Sequence, residues 1–411
     1  MKRRILKRFL HDDQGNLSVM FALTLVPVVG LIGMSVDFTM SSKRKAILDA
    51  IADSASLAAV TPAMLSQGDS ASITAATNLF NSQVGSVMGI GTTTLSVTAS
   101  DSGLSRTVTV SYNTTSAALF SKLVGKTTIP IAGKSQSTAS VPPNIDFYLL
   151  LDNSPSMAIA ATTSGINTMV ANTSDQCAFA CHESDTAPND YYGLARALGV
   201  TLRMDLVRQA TQNLMSTAQS TASSNNAKYR AAIYTFNTSL NTITSLTSSL
   251  STASSQANNI DIYEVPYQNW NSDAITDYTD TMTQMNSNMP NPGNGTNTQG
   301  DTPQEVLFIV TDGVEDQMVN GSRVQSLMNP SYCTTIKNRG IRIAVLYTTY
   351  LPLPTNAWYN QYIAPFQPNI GPNLQSCASP GLYYAVTTNQ DISAALITLF
   401  NSAVATAHLT Q

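Results

Sequence analysis

Apolar positions follow three patterns in turn along this chain. Residues 17–34, "LSVMFALTLVPVVGLIGM", are almost wholly apolar, and no charged residue stands between positions 14 and 36. That length crosses a bilayer as a helix. Pro27 and Gly30 inside it bend such a helix without forbidding it. Apolar residues then recur at helical spacing, with Ile47, Ile51, Ala55 and Ala58 on one stripe and no breaker before Pro62. One long rod is expected, its outer half carrying a small-residue face suited to lateral packing or to a core of its own.

The second pattern is mixed. Residues 73–84 read as a helix, and "TTTLSVTASDSGLSRTVTVSYNTT" alternates β-branched with polar residues about an Asp-Ser-Gly turn, a hairpin signature. "SAALFSKLVG" predicts a short helix ending on Gly125, and "KTTIPIAGKSQSTAS" a further strand. Residues 40–140 therefore form a small α+β unit behind a membrane anchor at 17–39 and an N-terminal stretch at 1–16, with Pro142 and Pro143 as a linker.

The third pattern fills 141–411. "IDFYLLLD" at 145–152 is a nearly continuous apolar run, as in a strand buried on both faces. Helical spacing follows over 191–218, a strand in "KYRAAIYTFNT", a helix in "SDAITDYTDTMTQM" and a buried strand in "EVLFIVTDG". "VQSLMNPSYCTTIKNRG" reads as broken helix closing on Gly340, "IRIAVLYTTY" as a strand and "DISAALITLFNSAVATA" as the last helix. The Ser/Thr/Asn tracts 216–227 and 241–259 and the Asn/Gly/Pro stretch 286–302 read as loops. Alternation of strand and helix predicts an α/β fold with a doubly wound, mostly parallel sheet.

Charge narrows the function. Only 11% of the 411 residues are charged, and the net charge of -4 leaves no broad basic surface, so nucleic acid is not an expected partner. "MKRRILKRF" ahead of the apolar run puts the N-terminus in the cytoplasm by the positive-inside rule and everything after about residue 37 outside. The run is longer than a signal-peptide core and lacks a small-x-small cleavage site, so the helix is read as a retained anchor. In an oxidising compartment the four cysteines are expected as two disulfides, Cys177–Cys181 and Cys333–Cys377, out of three possible pairings. His182 follows Cys181, but only three histidines exist and His11 and His408 are distant in sequence, which disfavours a zinc centre.

The chemistry concentrates in "LLLDNSPSMA". Ligands of doubly wound sheets bind beyond the C-terminal ends of the strands. Asp152, Ser154 and Ser156 follow one buried strand and Asp312 ends another. A few carboxylates with neutral hydroxyls form the hard-oxygen set that Mg²⁺ accepts. The bland alternative is a loop in which Ser154 or Ser156 caps a helix.

"DNSPSM" resembles the Asp-x-Ser-x-Ser signature of the von Willebrand factor A domain, and "VTDGVED" its later aspartate loop. The resemblance implies a metal-ion-dependent adhesion site for Mg²⁺, or Mn²⁺ or Ca²⁺, held by Asp152, Ser154, Ser156 and Asp312. In that family a threonine opening a middle helix completes the set. Ser272 stands in for it by position, with Thr276 a turn further on, while "GNGTNT" with Thr296 and Thr298 follows that helix. A second resemblance lies in "QGNLSVMFALTLVPVVGLIGMSVDFTMSSKRKAILDAIADSASLAAV", which is similar to the N-terminal segment of TadE/TadG-like proteins of tight-adherence (Flp) pilus systems. Prepilin-like relatives are cleaved after a glycine and carry a glutamate five residues on; here Met20 takes that place after Gly15, so no processing is expected.

Together these imply a non-enzymatic pilus assembly or anchoring protein of the bacterial inner membrane, single-pass, with its A domain in the periplasm. Its partners would be other pilus-assembly proteins or pilin, and an acidic residue of a protein ligand would complete the cation's coordination. A surface adhesin gripping a host or matrix ligand is the alternative. A metal-dependent hydrolase needs a base beside the metal, and no histidine lies near either aspartate loop in sequence. The aromatics Tyr347, Tyr350, Trp358, Tyr359 and Tyr362 are read as a long loop packing its own rings or as a partner-contact rim.

Overall fold

The computed structural model describes residues 16–65, 67–297, 299–352, 357–387 and 389–407. The chain forms two compact units that part between Val141 and Pro142.

In the first unit, helix α1 (Asn16–Ala58) runs for 43 residues without a break, Pro27 included. At 1.5 Å per residue it is about 65 Å long. It is long and apolar enough to cross a membrane. Beyond the apolar run it turns amphipathic: Leu48, Ile51, Ala52, Ala55 and Ala59 are buried with Ala76 and Phe80 of helix α2 (Asp69–Val84). The buried line includes the expected Ile51 and Ala55, whereas Ile47 is exposed because the stripe runs through Leu48 instead. Strands β1 (Thr94–Ser102), β2 (Ser105–Ala117) and β3 (Thr128–Ser140) pair in that order, antiparallel. Val108, Val110, Tyr112 and Ile131 complete the core.

The second unit is a six-stranded sheet in the order β11-β10-β7-β4-β5-β6. Its strands are β4 (Ile145–Asp152), β5 (Tyr229–Phe236), β6 (Leu240–Thr247), β7 (Gln304–Thr311), β10 (Arg342–Thr348) and β11 (Tyr383–Val386). All pairings are parallel except β5 with β6. Every residue of β4, β7 and β10 is buried, because helices cover both faces. On one face Phe147, Leu149 and Leu151 pack with Val207 and Leu214 of helix α3 (Arg203–Asn225) and with Leu399 and Phe400 of the last helix, Ile392–Thr406. On the other, Tyr148 and Leu150 pack with Tyr278 and Met282 of helix α4 (Tyr278–Asn288) and with helices α5 (Ser331–Asn338) and α6 (Gln367–Cys377). The doubly wound α/β architecture is as the sequence implied.

Local differences have local causes. The helical stretch 191–218 is two helices, Tyr191–Ala197 and α3, split at Gly199 with φ 66°. The polar tracts read as loops are partly ordered: α3 runs on to Asn225, and 241–259 holds most of β6 and a helix, Leu250–Gln256. Alternate apolar positions were missing there because β6 is an edge strand with only Thr244 fully buried. The expected broken helix from 324 starts instead as a hairpin, β8 (Val314–Val319) and β9 (Ser322–Leu327), about Asn320 and Gly321 at φ 51° and 80°. An Asn-Gly pair with both residues at positive φ is the type I′ turn that a two-residue hairpin needs.

Candidate metal-ion site and its cavity

Strand β4 ends in Asp152 and its neighbour β7 is followed at once by Asp312, so two adjacent parallel strands deliver two carboxylates to one edge. Asp152 is fully buried and Asp312 nearly so. Ser154 donates to Asp152 Oδ1 through its backbone N–H at 3.0 Å and its hydroxyl at 2.6 Å. The Ser154 and Ser156 hydroxyls lie 3.0 Å apart, and Asp312 Oδ1 accepts from Val314 N–H at 3.4 Å. Asp152 Oδ2 accepts from the Thr311 hydroxyl at 2.6 Å, which in turn accepts from Gly313 N–H at 2.9 Å and pairs with the Tyr278 hydroxyl. Thr311 was not singled out from sequence, although it precedes Asp312 directly.

Burial pushes the Asp152 carboxyl up to about 7, with the nearby Asp312 adding to the rise; Asp312 is raised by burial too. Arg203, buried and hydrogen-bonded to Thr348 O and Thr349 O, is the near cation that favours the Asp312 carboxylate. Two carboxylates against one guanidinium leave surplus negative charge. Asp312 Oδ2 is buried without a hydrogen-bond partner. Such an orphan costs about 1–3 kcal/mol unless something completes it. Two carboxylates, one of them with an orphan oxygen, and two hydroxyls fit a hard divalent cation. A cluster of three or more His, Cys, Asp or Glu side chains suited to a metal does not occur among the described residues. Any cation here relies on serine and threonine oxygens.

The two candidates for the middle position are placed differently. Ser272 is exposed, on the turn Trp270–Asp273 with φ 56°, and does not line the cavity beside Ser156. Thr276 is buried and does line it, pinned by paired backbone bonds to Asp316 at 2.8 and 2.9 Å. Hairpin β8–β9, which sequence reasoning missed, supplies that pairing. Thr296 bonds Asp301 at 2.6 Å beside Asn144, at the start of β4 and so at the far end of the sheet. Thr298 lies outside the described residues.

The cavity has a volume of about 390 Å³ and is walled by Ser156 and Thr276 together with Phe179, Trp270, Tyr350 and Trp358. Of the aromatic cluster, Tyr347, Tyr350 and Tyr359 are buried, while Trp358 and Tyr362 are exposed with ring centres 5.9 Å apart. Arg323 sits 5.1 Å over Trp358 and is held by Asp316. His182 also lines the cavity, its Nδ1 2.5 Å from Asp190 and its ring stacked on Tyr192. Distance in sequence from the aspartate loops concealed that placement, so a histidine is present on the same cavity after all.

Cys333 and Cys377 are bridged, joining α5 to the end of α6. Cys177 and Cys181 are not bridged. Phe179 N–H donates to Cys177 Sγ at 3.4 Å, turning that thiol back along its own chain, while Phe179 pairs with Ile159 and holds the segment against the loop after β4. Cys181 is raised to about 12 by burial, so it stays a thiol.

Comparison with known proteins bears on the long helix first. Residues 15–64 match the family model described as putative Flp pilus-assembly TadE/G-like. The chain carries a TadE/G-like segment. That segment spans most of α1. No curated protein sequence matches this chain. Among solved structures, BatB from Bacteroides thetaiotaomicron is similar at 13% identity and TM-score 0.33, over 64% of this chain and 99% of that one. The PilB minor pilin from Streptococcus sanguinis is similar at 11% and 0.37, over 78% and 79%. The von Willebrand factor domain of the type V pili tip protein Mfa5 from Porphyromonas gingivalis is similar at 8% and 0.37, over 64% and 96%.

Proposed function

We propose that this protein is a pilus assembly or anchoring component, held in the inner membrane by α1, whose second unit captures a protein partner through a divalent cation. The buried, incompletely satisfied Asp152–Asp312 pair, linked through Ser154 to Ser156 on the wall of an aromatic-lined cavity, is the observation that carries the reading. Asp152, Ser154, Ser156, Thr276 and Asp312 would hold Mg²⁺ or Mn²⁺. The cation would supply a Lewis-acidic position for a carboxylate of the partner. The residues of this chain do the rest: Thr311 and Ser154 orient the Asp152 carboxylate, Arg203 limits the charge to be neutralised, and the aromatic side chains of the cavity wall offer the partner apolar contact. The proposed role is binding rather than catalysis, with His182 turned to Asp190 and Tyr192 as a wall residue.

The test is thermal unfolding of the full chain in lipid nanodiscs, with EDTA and then with Mg²⁺ or Mn²⁺. A ligand that binds only the folded state at 100 times its Kd stabilises by about 2.7 kcal/mol. The wild type should gain thermal stability with rising cation, Asp152→Ala and Thr276→Ala should lose the gain, and Ser272→Ala should keep it. Equal midpoints for the wild type with and without cation would sink the reading.

A further inference from the structure

The first unit holds an apolar finger that its own core does not use. Between β2 and β3 the chain makes one tight turn, Ser121–Val124, closed by Gly125 at φ 81°. Leu119 is 72% exposed and Leu123 75%, with Phe120 and Val124 exposed beside them. Burying such a side chain is worth roughly 1.5–3 kcal/mol, so a contiguous group left out marks an interaction surface.

The finger is firmly placed. Asp37 accepts the backbone N–H groups of Leu119, Phe120 and Ser121 at 2.9, 2.8 and 2.6 Å, and the Ser121 hydroxyl at 2.9 Å. Phe120 packs against Gly33, where an added Cβ would come to 2.5 Å from its Cβ and Cγ. Gly33 and Asp37 stand one turn apart on α1, where the apolar run ends. As a helix, residues 17–34 rise about 27 Å, close to the thickness of a bilayer's hydrocarbon core. The finger is therefore clasped to α1 at the level where the helix leaves the hydrocarbon.

Two further observations select lipid as the occupant. The finger continues the apolar surface of α1 itself, where Leu31, Ile32, Val36 and Phe38 are all exposed. Lys122 and Lys126 are exposed on the finger, and Lys43 is exposed further along α1, a placement that suits the phosphate level of a membrane surface. We propose that residues 119–124 insert into the membrane interface beside α1, with Leu119, Leu123 and Val124 in the acyl boundary and Lys122 and Lys126 against lipid phosphates. The unit is thereby held by two membrane contacts instead of one. This rests on α1 crossing a bilayer.

The experiment separates the two. The full chain with Trp270→Phe and Trp358→Phe is reconstituted in phosphatidylcholine vesicles carrying brominated acyl chains, with one tryptophan introduced at a time. Leu25→Trp reports the span, Leu123→Trp the finger, and Ser102→Trp the exposed end of β1. Leu123→Trp and Leu119→Trp should both be quenched at least twofold by bromines near the headgroup end of the chains, with Ser102→Trp unquenched. Quenching at Leu25→Trp without quenching at either finger position overturns the proposal, and a blue-shifted but unquenched finger would mean that protein covers it. No quenching at Leu25→Trp would overturn the span and the finger together.

Discussion

A single buried carboxylate away from the site sets a measurable pH dependence. Glu305 on β7 is buried beside its register partner Asp146 on β4, which forks onto Arg230 of β5. Burial first, and the Asp146 charge second, push Glu305 up to about 8. An acid whose folded value is raised contributes stability that is complete below its unfolded value near 4.5 and is lost as pH rises through about 8. Glu305→Gln should therefore stabilise the second unit by roughly 1–3 kcal/mol at pH 8.5, change little at pH 5, and reduce the fall of the urea midpoint between those values. A variant that keeps the wild-type slope would place the proton elsewhere. Residues also mark where sequence reasoning reached its limit. Asp152, Ser154, Ser156 and Asp312 meet in space as their strand ends implied. Thr276 and Ser272 could not be ranked by position along the chain, because burial and pairing with Asp316 separate them.

Among the elements, apolar periodicity located the buried strands because each is covered on both faces and so reads as an uninterrupted run. It missed β6 and β9, whose residues are mostly half-exposed and therefore polar. The Asn-Gly turn at 320–321 was the available signal for the β8–β9 hairpin. The bridge between α5 and α6 belongs to this scale too. It closes a loop with a sequence separation of 44, and both cysteines are fully buried. The Cys333→Ala, Cys377→Ala double variant should lose about 2–4 kcal/mol in guanidinium unfolding, most of it through the loosened unfolded chain. A loss under about 0.5 kcal/mol would mean that helix packing alone holds α5 to α6.

Across the whole molecule, the cores are built from separate residue sets, one in the first unit and two in the second. Both tryptophans, Trp270 and Trp358, lie in the second unit and line its cavity. Tryptophan fluorescence should therefore follow the second unit alone. Asp37→Ala, which releases the finger in the first unit, should leave the tryptophan-monitored midpoint unchanged while lowering hydrogen-exchange protection at residues 119–121. A matching drop in the tryptophan midpoint would show the two cores to unfold together.

What the sequence determined by itself is whatever depends on local order: an apolar stretch as long as a bilayer is thick, strands buried on both faces, and oxygen-bearing side chains at strand ends. The strand order, the bridge at Cys333–Cys377, the free thiols at Cys177 and Cys181, the placing of Thr276 on the cavity and Ser272 off it, His182 on the cavity and Asp37 beneath the finger were decided by tertiary structure. Each depends on which groups far apart along the chain come within bonding distance, and that is set by how the helices and sheets pack rather than by the spacing of residues along one segment.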